Sequence, residues 1–555
     1  MSFFTGKESF LPDYASYNWT GAPSNYDLST NAALGGDAHT ENLNKWYQSG
    51  DQAYLIVASA LVWIMVPGLG FLYAGLVRRK SALHMILACM GCLSVTSVQW
   101  YLLGYSLAFS PTTTNGFIGD LSNFGLINTL AAPSVGSPLI PSLLYAFFQM
   151  QFCAVTAAII IGAVAERGRL VPAMVFTFIW ATIVYCPMVY WAWNPNGWAY
   201  KYGVMDFAGG GPIEICSGMS ALAYSWILGP RREALMTDFR RHSVAFIILG
   251  TALLWFGWLG FNGGTSFGAN LRATMACWNT HLAATFAAIS WILLDWRLER
   301  KWSMVGWCSG TICGLIMSTS SAGLITAWGS VVMGIVTGIV CNYAGKVKTL
   351  LNIDDSMDVF AQHGVGGIIG LLANAFFASD VIISLDGVSV GLQNPTTGTP
   401  QGGWINHNYR QLYIQLAYIV VCCVYSFAVT GVIAFLINLI PGLQLRASEE
   451  AERNGMDDSE LGEFTFDSVE MRREAVTPPK PKMKEPETPS LYLSADLGKR
   501  NSFRRIDIRL PPQVKSNQPP TKTLQALNDE RSDGQRSITS FRRSLEMYYP
   551  FVTKS

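Results

Sequence analysis

Residues 206–214 read DFAGGGPIE, and residues 355–363 read DSMDVFAQH. Each stretch begins with an aspartate, ends on an ionisable residue, Glu214 or His363, and is followed four positions later by a glycine inside an apolar segment. Matching positions in two apolar segments indicate an internal repeat, and repeats in membrane proteins often enclose a site between two halves. The sequence therefore predicts two packed halves with an acid and an imidazole between them.

The composition indicates a membrane domain followed by a soluble tail. Half of the 555 residues are hydrophobic and only 14% are charged, whereas soluble domains contain about 25% charged residues. Residues 446–555 carry 37 of the 75 charged residues, so the preceding part is very apolar. The net charge of +1 and the lack of a nucleic-acid-binding motif argue against a nucleic-acid partner.

Eleven apolar segments are long enough to cross a bilayer, which takes about 20 helical residues. We expect them near residues 53–76, 84–109, 142–164, 170–192, 211–229, 243–262, 275–295, 303–323, 325–344, 358–378 and 412–440. Basic residues follow the odd-numbered segments up to the ninth and are scarce after the even-numbered ones. Because basic loops stay in the cytoplasm, the N-terminus is expected outside and the C-terminus inside.

The predicted fold is an all-α polytopic membrane protein with eleven transmembrane helices, an inverted five-helix repeat plus one outer helix. We expect an extracellular N-terminal arm at residues 1–51 and a transmembrane domain at 52–441. A membrane-proximal cytoplasmic segment follows at 442–465, and a largely disordered cytoplasmic tail at 466–555. Asn18 begins an Asn-Trp-Thr sequon that would face the secretory lumen, and an unused match is an equally good interpretation.

Two further patterns concern modification and metal binding. Ser502 lies beside arginines in the proline-rich tail and is a candidate phosphorylation site, although an incidental serine in a solvated tail explains it equally well. All eleven cysteines, from Cys89 to Cys423, lie in apolar segments, so we expect neither disulfides nor a metal site.

Glu214 and His363 are the candidate residues for proton binding and transfer. An ionisable group inside a membrane span is costly and usually faces a partner or a hydrated path, so the pair is expected to hold or pass a proton. A satisfied buried pair that only locks two helices together is the alternative. Asp206 precedes glycines and a proline, as a helix cap does; capping alone and capping combined with stabilisation of a cation remain equally open.

Residues 45–465 resemble the ammonium transporter, methylammonium permease and Rhesus protein family, and the hydrophilic tail is similar to that of its fungal branch. The motifs that carry the resemblance are FQMQF at 148–152, AER at 165–167, DFAGG at 206–210, WFGWLGFN at 255–262 and DDSMDVF at 354–360.

The resemblance implies a homotrimer with one pore in each subunit. The residues that would bind the substrate are Phe148, Trp193, Asp206 and Thr265. The gate would consist of Phe152 and Phe261, and the pore with its proton path would contain Glu214 and His363. Structural roles are implied for Glu166 and Asp355.

The sequence departs from the family pattern at two positions. Thr265 stands where many members have serine, and Glu214 stands where the first of two pore histidines is expected. The glutamate resembles a subset of fungal permeases and puts the pH dependence of a two-histidine pore in doubt. Without the resemblance, Trp193 fits an interfacial aromatic belt, and Phe148 and Phe152 fit ordinary packing.

The resemblance implies a multi-pass plasma-membrane transporter that takes up ammonium, and methylammonium, for nitrogen utilisation. It would be no enzyme and would need no cofactor; its partners would be membrane lipid, two further copies of the chain and a regulatory kinase. The alternative is an ammonium sensor that signals through the cytoplasmic tail. Ser459, in the membrane-proximal segment, is a candidate phosphate switch.

Overall fold

The computed structural model describes residue 39 and residues 42–137, 139–232, 241–386 and 401–463. Within these residues the chain is helical, with three isolated β-bridges in place of any extended strand. The predicted sites at Asn18 and Ser502, almost all of the N-terminal arm and the tail from residue 466 lie outside the described residues.

The α-helices follow the chain in this order: α1 Ser49–Trp63, α2 Met65–Leu76, α3 Ala82–Gln99, α4 Tyr105–Phe109, α5 Ser142–Gly162, α6 Leu170–Trp180, α7 Cys186–Trp193, α8 Trp198–Tyr202, α9 Cys216–Leu228, α10 Val244–Gly264, α11 Leu271–Glu299, α12 Met304–Ser321, α13 Ala327–Ala344, α14 Val347–Leu351, α15 Val365–Phe377, α16 Asp380–Ile383, α17 Arg410–Asn438 and α18 Glu449–Asn454. Short 3-10 helices occupy Leu43–Trp46, Arg79–Ser81, Phe124–Leu126, Ser384–Asp386 and Trp404–Asn406. Wider π-helical turns occur at Trp100–Gly104, Ala181–Tyr185, Gly210–Ile215, Phe360–Gly364 and Asp457–Leu461.

Each apolar segment predicted from the sequence coincides with helical structure. Nine helices of the described residues are long and apolar enough to cross a membrane. The helical stretches Gly210–Leu228 and Met304–Ser321 complete the predicted set but are not among those nine. The prediction of an all-helical membrane protein is therefore confirmed.

The outer surface and the interior differ in the way a lipid-embedded bundle requires. Many large apolar side chains are exposed on the outer faces, including Val420 at 59%, Val424 at 62% and Val432 at 57% on α17. The interior instead contains many small residues and several fully buried polar ones. Without hydrophobic pressure between helices in lipid, close packing of small residues and internal hydrogen bonds hold the helices together.

The two predicted repeat segments adopt the same local structure. Each contains a π-helical turn, Gly210–Ile215 or Phe360–Gly364, which leads into a thirteen-residue α-helix, α9 or α15. The packing is reciprocal, because α9 contacts the second π-helical turn and α15 contacts the first. This reciprocity brings the two turns together in the centre of the bundle.

Candidate functional site

Asp206 fixes the start of the first repeat element. Its carboxylate accepts hydrogen bonds from the backbone N–H groups of Gly209 at 3.0 Å, Gly210 at 2.6 Å and Gly211 at 2.7 Å. Gly209 has φ of +116°, a conformation that glycine adopts without steric cost. The Tyr418 hydroxyl lies 3.4 Å from the same carboxylate, a contact that no sequence pattern indicates. Asp206 therefore acts as a cap, whatever its effect on a cation.

Glu214 and His363 meet where the two repeat elements pack together. Oε2 of Glu214 lies 2.7 Å from Nδ1 of His363. The glutamate is fully buried and the histidine is 4% exposed. The second carboxyl oxygen, Oε1, has no hydrogen-bond partner among the described residues. The predicted acid–imidazole pair thus forms, and it retains one free acceptor position.

Glycines make this approach of the two elements possible. A Cβ atom added to Gly367 would lie 2.7 Å from the Cβ of Glu214, and one added to Gly218 would overlap the backbone of Gly364. Both added atoms would come closer to their neighbours than a packed interior tolerates. The glycines that follow Glu214 and His363 by four positions are therefore required for the two side chains to reach each other.

Trp258 and Thr319 form a buried polar contact near the pair. The indole Nε1–H of Trp258 donates to Oγ1 of Thr319 at 2.8 Å, and the Thr319 hydroxyl, which lies near the Glu214 carboxyl, donates to the backbone carbonyl of Leu315 at 3.1 Å. Both side chains are buried. We did not select either residue from the sequence, although Trp258 belongs to the WFGWLGFN motif at 255–262.

The two predicted gate rings stack on each other, and two further phenyl rings pack against them at an angle. The rings of Phe152 and Phe261 lie parallel with centroids 3.9 Å apart, and both side chains are fully buried. Phe148 packs on Phe152 at 4.8 Å between centroids. Phe267, a residue with φ of +52°, closes the other side of Phe148 at 6.2 Å and was missed by sequence reasoning. The stacked pair leaves no space for an ion between the rings.

Trp193 and Thr265 lie next to this stack. The ring of Trp193 meets Phe152 edge-on at 6.2 Å, and its Nε1–H donates to the backbone carbonyl of Asp206 at 3.1 Å. The Thr265 hydroxyl donates to the carbonyl of Phe261 at 2.9 Å and is 7% exposed. The residues predicted to bind the substrate thus contact either the gate rings or the Asp206 segment.

A narrow cavity adjoins the acid–imidazole pair, and His363 lines its wall. Most of the remaining lining is apolar, with a few polar side chains, among them Tyr73 and Gln362. Stacked rings, a buried titratable pair and an apolar cavity are therefore neighbours in one part of the bundle.

Glu166 is the centre of a buried ion-pair network at the end of the bundle that carries the basic loops, which we call the basic end. Its two carboxyl oxygens each lie 2.7 Å from an arginine nitrogen, Oε1 from Arg78 and Oε2 from Arg231. Arg231 also pairs with Asp354 at 2.8 Å. These contacts join four separate connections of the chain, in accordance with a structural role for Glu166.

The pKa values of the two neighbouring aspartates in this region are shifted in opposite directions. Burial would raise the pKa of Asp354, but the Arg231 and Arg167 guanidinium groups lower it to about 2. Burial, together with the charge of Asp358, raises the pKa of Asp355 to about 6. Asp355 also accepts the backbone N–H of Phe360 at 2.7 Å, so it starts the second repeat element as Asp206 starts the first.

The membrane-proximal segment is docked against the basic end. Arg446 donates to the carbonyls of Leu228 and Pro230 at 2.9 Å each and pairs with the buried Glu452 at 2.7 Å. Asp457 accepts the backbone N–H of His84 at 2.8 Å at the start of α3. Ser459, in contrast, is exposed. The segment thus links several connections while presenting its serine to solvent.

This arrangement suits proton transfer between an acid and an imidazole that are shielded from water. A carboxyl and an imidazole at hydrogen-bond distance can share or exchange a proton. Among the described residues there is no group of three or more His, Cys, Asp or Glu side chains that could hold a metal ion. The geometry therefore provides titratable groups within an otherwise apolar route.

Comparison with known proteins agrees with this architecture. Residues 53–466 match the model of the Ammonium Transporter Family. The ammonium transporter MEP3 of Saccharomyces cerevisiae is 50% identical over 440 residues, covering 79% of this chain and 88% of that protein. Ammonium transporter 2 of Schizosaccharomyces pombe is 49% identical over 441 residues, with 79% and 85% covered.

A solved structure extends the agreement to three dimensions. The crystal structure of Saccharomyces cerevisiae Mep2 matches with a TM-score of 0.71 and 43% sequence identity, covering 76% of this chain and 92% of that chain. The match to the family model spans well over half of the sequence. The chain belongs to the Ammonium Transporter Family.

Proposed function

We propose that this protein is a plasma-membrane transporter that moves ammonium, and methylammonium, into the cell. The basic end of the bundle lies in the cytoplasm, because basic connections are retained there, and residues 1–51 lie outside. Eleven helices cross the membrane, and three copies assemble with one pore each. The contact between Glu214 and His363 behind the stacked phenyl rings is the observation that carries this proposal.

Transport starts at the outer side of the rings. Ammonium binds between Trp193, Thr265 and the ring of Phe148, where an indole face attracts a cation by about 0.5 to 2 kcal/mol. The Asp206 carboxylate stabilises the positive charge from beneath. The free energy needed to move the intact ion into the apolar route is far larger than the stabilisation that these contacts provide. The ion therefore gives up its proton at the gate of Phe152 and Phe261.

The two products then cross separately. Ammonia passes the apolar route, which offers it little resistance because it is uncharged. The proton moves through bound water to the Glu214–His363 pair, whose free Oε1 is a ready acceptor. Ammonia and the proton recombine in the cavity on the cytoplasmic side. One positive charge enters per ammonium, driven by about 2.3 kcal/mol per 100 mV of membrane potential.

Currents in lipid vesicles test this mechanism. Purified protein in vesicles should give an inward current on an ammonium pulse, and His363→Leu should reduce the current more than it reduces ammonia permeation. His407→Leu, at an exposed loop position, is the matched control and should keep the wild-type current. Ammonium uptake without current in the wild type would eliminate the charge-separating mechanism.

A sensor is the second candidate function, and the docked membrane-proximal segment favours it. This segment contacts the end of the Glu214 element and the connection that follows it, at the carbonyls of Leu228 and Pro230, so movements of the pore elements can reach it. A kinase that phosphorylates Ser459 would add charge beside Asp457, Asp458 and Glu460. Deletion after residue 464 separates the functions, because a sensor loses its downstream response while ammonium uptake persists.

A further inference from the structure

Two cations lie over exposed aromatic rings at the basic end of the bundle. At the end of α11 the guanidinium carbon of Arg300 lies 5.4 Å from the ring centroid of Trp296. Just beyond α13 the ammonium nitrogen of Lys346 lies 5.2 Å from the ring centroid of Tyr343. Trp296 is 40% exposed and Tyr343 is 47% exposed, so both pairs are on the outside of the subunit.

The two pairs lie at the same level of the bundle. Asp295 and Asn342 immediately precede Trp296 and Tyr343 in the sequence. The side-chain amide of Asn342 donates to the carboxylate of Asp295 at 3.0 Å, which fixes the end of α11 beside the end of α13. The two cation–ring pairs therefore belong to neighbouring helices and not to separate parts of the surface.

The chain reverses after α11 and adds a third ring. Arg300 has φ of +58° and ends the helix, in a left-handed conformation that residues other than glycine rarely adopt. The turn brings Trp302 back onto Trp296, with nearly parallel rings and centroids 5.8 Å apart. Trp302 is 64% exposed. We call the side chains of Trp296, Arg300, Trp302, Tyr343 and Lys346 the α11–α13 rim.

The rim has positive charge that the chain itself does not neutralise. Elsewhere at the basic end, basic side chains pair with carboxylates, as do those of Arg78, Arg169, Arg231, Lys348 and Arg446. Among residues 42–137, 139–232, 241–386 and 401–463, in contrast, no carboxylate forms an ion pair with Arg300 or Lys346. Residues 295–301 and 342–346 contain four basic and two acidic residues. An excess of positive charge is therefore available to an anion from outside the chain.

Membrane topology alone does not account for this arrangement. Retention of basic loops in the cytoplasm explains the presence of basic residues, and an interfacial belt explains exposed aromatic rings. Neither requires that each cation lie over a ring or that it lack a carboxylate. A phospholipid fits both features, because its glycerol region and upper acyl chains can contact the rings while its phosphate meets the cations. A guanidinium group in particular can bind two phosphate oxygens at once.

We propose that the α11–α13 rim binds the headgroup of an anionic phospholipid of the cytoplasmic leaflet. The anionic groups of the lipid lie on Arg300 and Lys346, and its glycerol region lies on the stacked rings of Trp296 and Trp302. Anionic phospholipids give the cytoplasmic leaflet its negative surface potential, and each Lys or Arg near that surface strengthens binding about fivefold. The choice of leaflet rests on the orientation in the proposed function, whereas the binding itself does not.

Native mass spectrometry of the full-length protein in detergent tests the proposal, with phosphatidylserine and phosphatidylcholine as the probes. The wild type should bind phosphatidylserine more tightly than phosphatidylcholine, which has the same glycerol backbone but no net charge. The double variant Arg300→Gln/Lys346→Gln should bind phosphatidylserine about 25-fold more weakly, about fivefold for each charge removed, with its binding of phosphatidylcholine unchanged. The charge-conserving double variant Arg300→Lys/Lys346→Arg should keep the wild-type affinity.

Arg410→Gln is the matched control. Arg410 lies over the ring of Tyr413 at 6.0 Å, and both side chains are exposed. This pair stands alone at the start of α17, at the opposite end of the bundle from the rim. Its removal should therefore leave the affinity for phosphatidylserine at the wild-type value.

Three results would overturn the proposal. Equal affinities of the wild type for the two lipids would show that the rim does not select an anionic headgroup. Equal losses of phosphatidylserine binding in Arg410→Gln and in the double glutamine variant would show a general effect of charge. Displacement of phosphatidylserine by an equal concentration of inorganic phosphate would identify a site for free anions and not for lipid. A melting curve for each variant verifies that it is folded.

Discussion

Glu214 and His363 illustrate how one residue changes the electrostatics of a pore. Two imidazoles are neutral or positive, whereas a carboxyl beside an imidazole can also be negative or share its proton. The contact of 2.7 Å between Oε2 and Nδ1 couples the protonation of the two groups. The ionic state of the pair, and not of either residue, should therefore control the passage of the proton.

Replacement of Glu214 by glutamine isolates the contribution of the carboxyl group to the passage of the proton. Glu214→Gln keeps the size of the side chain and a hydrogen bond to His363 but removes the group that binds a proton. Because hydrogen bonds to charged groups contribute about 1.5 to 3 kcal/mol, we expect the ammonium current to fall at least about tenfold, the equivalent of 1.4 kcal/mol. The measurement is the vesicle current between pH 5 and 8; an unchanged pH profile would contradict the role of the carboxyl.

Asp355 should make the stability of the protein depend on pH. Its folded-state pKa of about 6 exceeds its ordinary value of 3.8, so the folded protein binds the proton more tightly than the unfolded chain. Stability should thus decrease as the pH rises from about 4 to about 6, by about 3 kcal/mol for a shift of this size.

Melting temperatures of the wild type and Asp355→Asn across this pH range check the prediction. Asp355→Asn should lack the decrease in stability with rising pH. The difference in melting temperature between the variant and the wild type should therefore change in sign or size between pH 4 and pH 6. Asp354→Asn is the comparison, because its partner arginines lower the pKa of Asp354 to about 2. That variant should differ from the wild type by a constant amount above pH 4. Parallel melting curves for Asp355→Asn and the wild type would contradict the prediction.

At the scale of elements, the sequence predicted the repeat but not its local geometry. The sequence shows the spacing of the aspartate, the ionisable residue and the glycine, and the length of each hydrophobic segment. It does not show the π-helical turns at Gly210–Ile215 and Phe360–Gly364, because a wider turn depends on tertiary packing that local propensity does not encode. Trp258 and Thr319 were missed for the same reason: they reach Glu214 only through the folding of distant helices.

A substitution of Gly367 tests whether close packing of the two repeat elements is needed for the contact between Glu214 and His363. In Gly367→Ala the new methyl would lie 2.7 Å from the Cβ of Glu214, which should push the carboxyl from His363. Overpacking of this kind costs about 1 to 3 kcal/mol, so we expect a lower melting temperature and a reduced ammonium current. Gly431→Ala on α17, where no atom lies within 4 Å of the added methyl, is the control. Equal behaviour of the two variants would show that the approach of the elements is not limiting.

At the scale of the whole molecule, charge and hydropathy were sufficient to predict which parts of the chain enter the membrane. They did not show how residues 446–463 dock, since that depends on carbonyl groups left free at the ends of distant elements. Arg446 uses such carbonyls at Leu228 and Pro230. Glu166 was predicted as structural from the resemblance, but its two arginine partners come from separate connections that no local pattern joins.

Arg446 should hold the membrane-proximal segment to the bundle. In Arg446→Ala the carboxyl of Glu452, which is 1% exposed, loses its guanidinium partner, and an uncompensated buried charge costs about 3 to 5 kcal/mol. We expect residues 447–463 to detach and to be cleaved faster in limited proteolysis, while the transmembrane helices stay protected. Arg453→Ala removes an exposed arginine of α18 and should be cleaved as slowly as the wild type. Because Arg446 joins the segment to the connection after α9, detachment should also change the ammonium current; equal cleavage of both variants would place the anchor elsewhere.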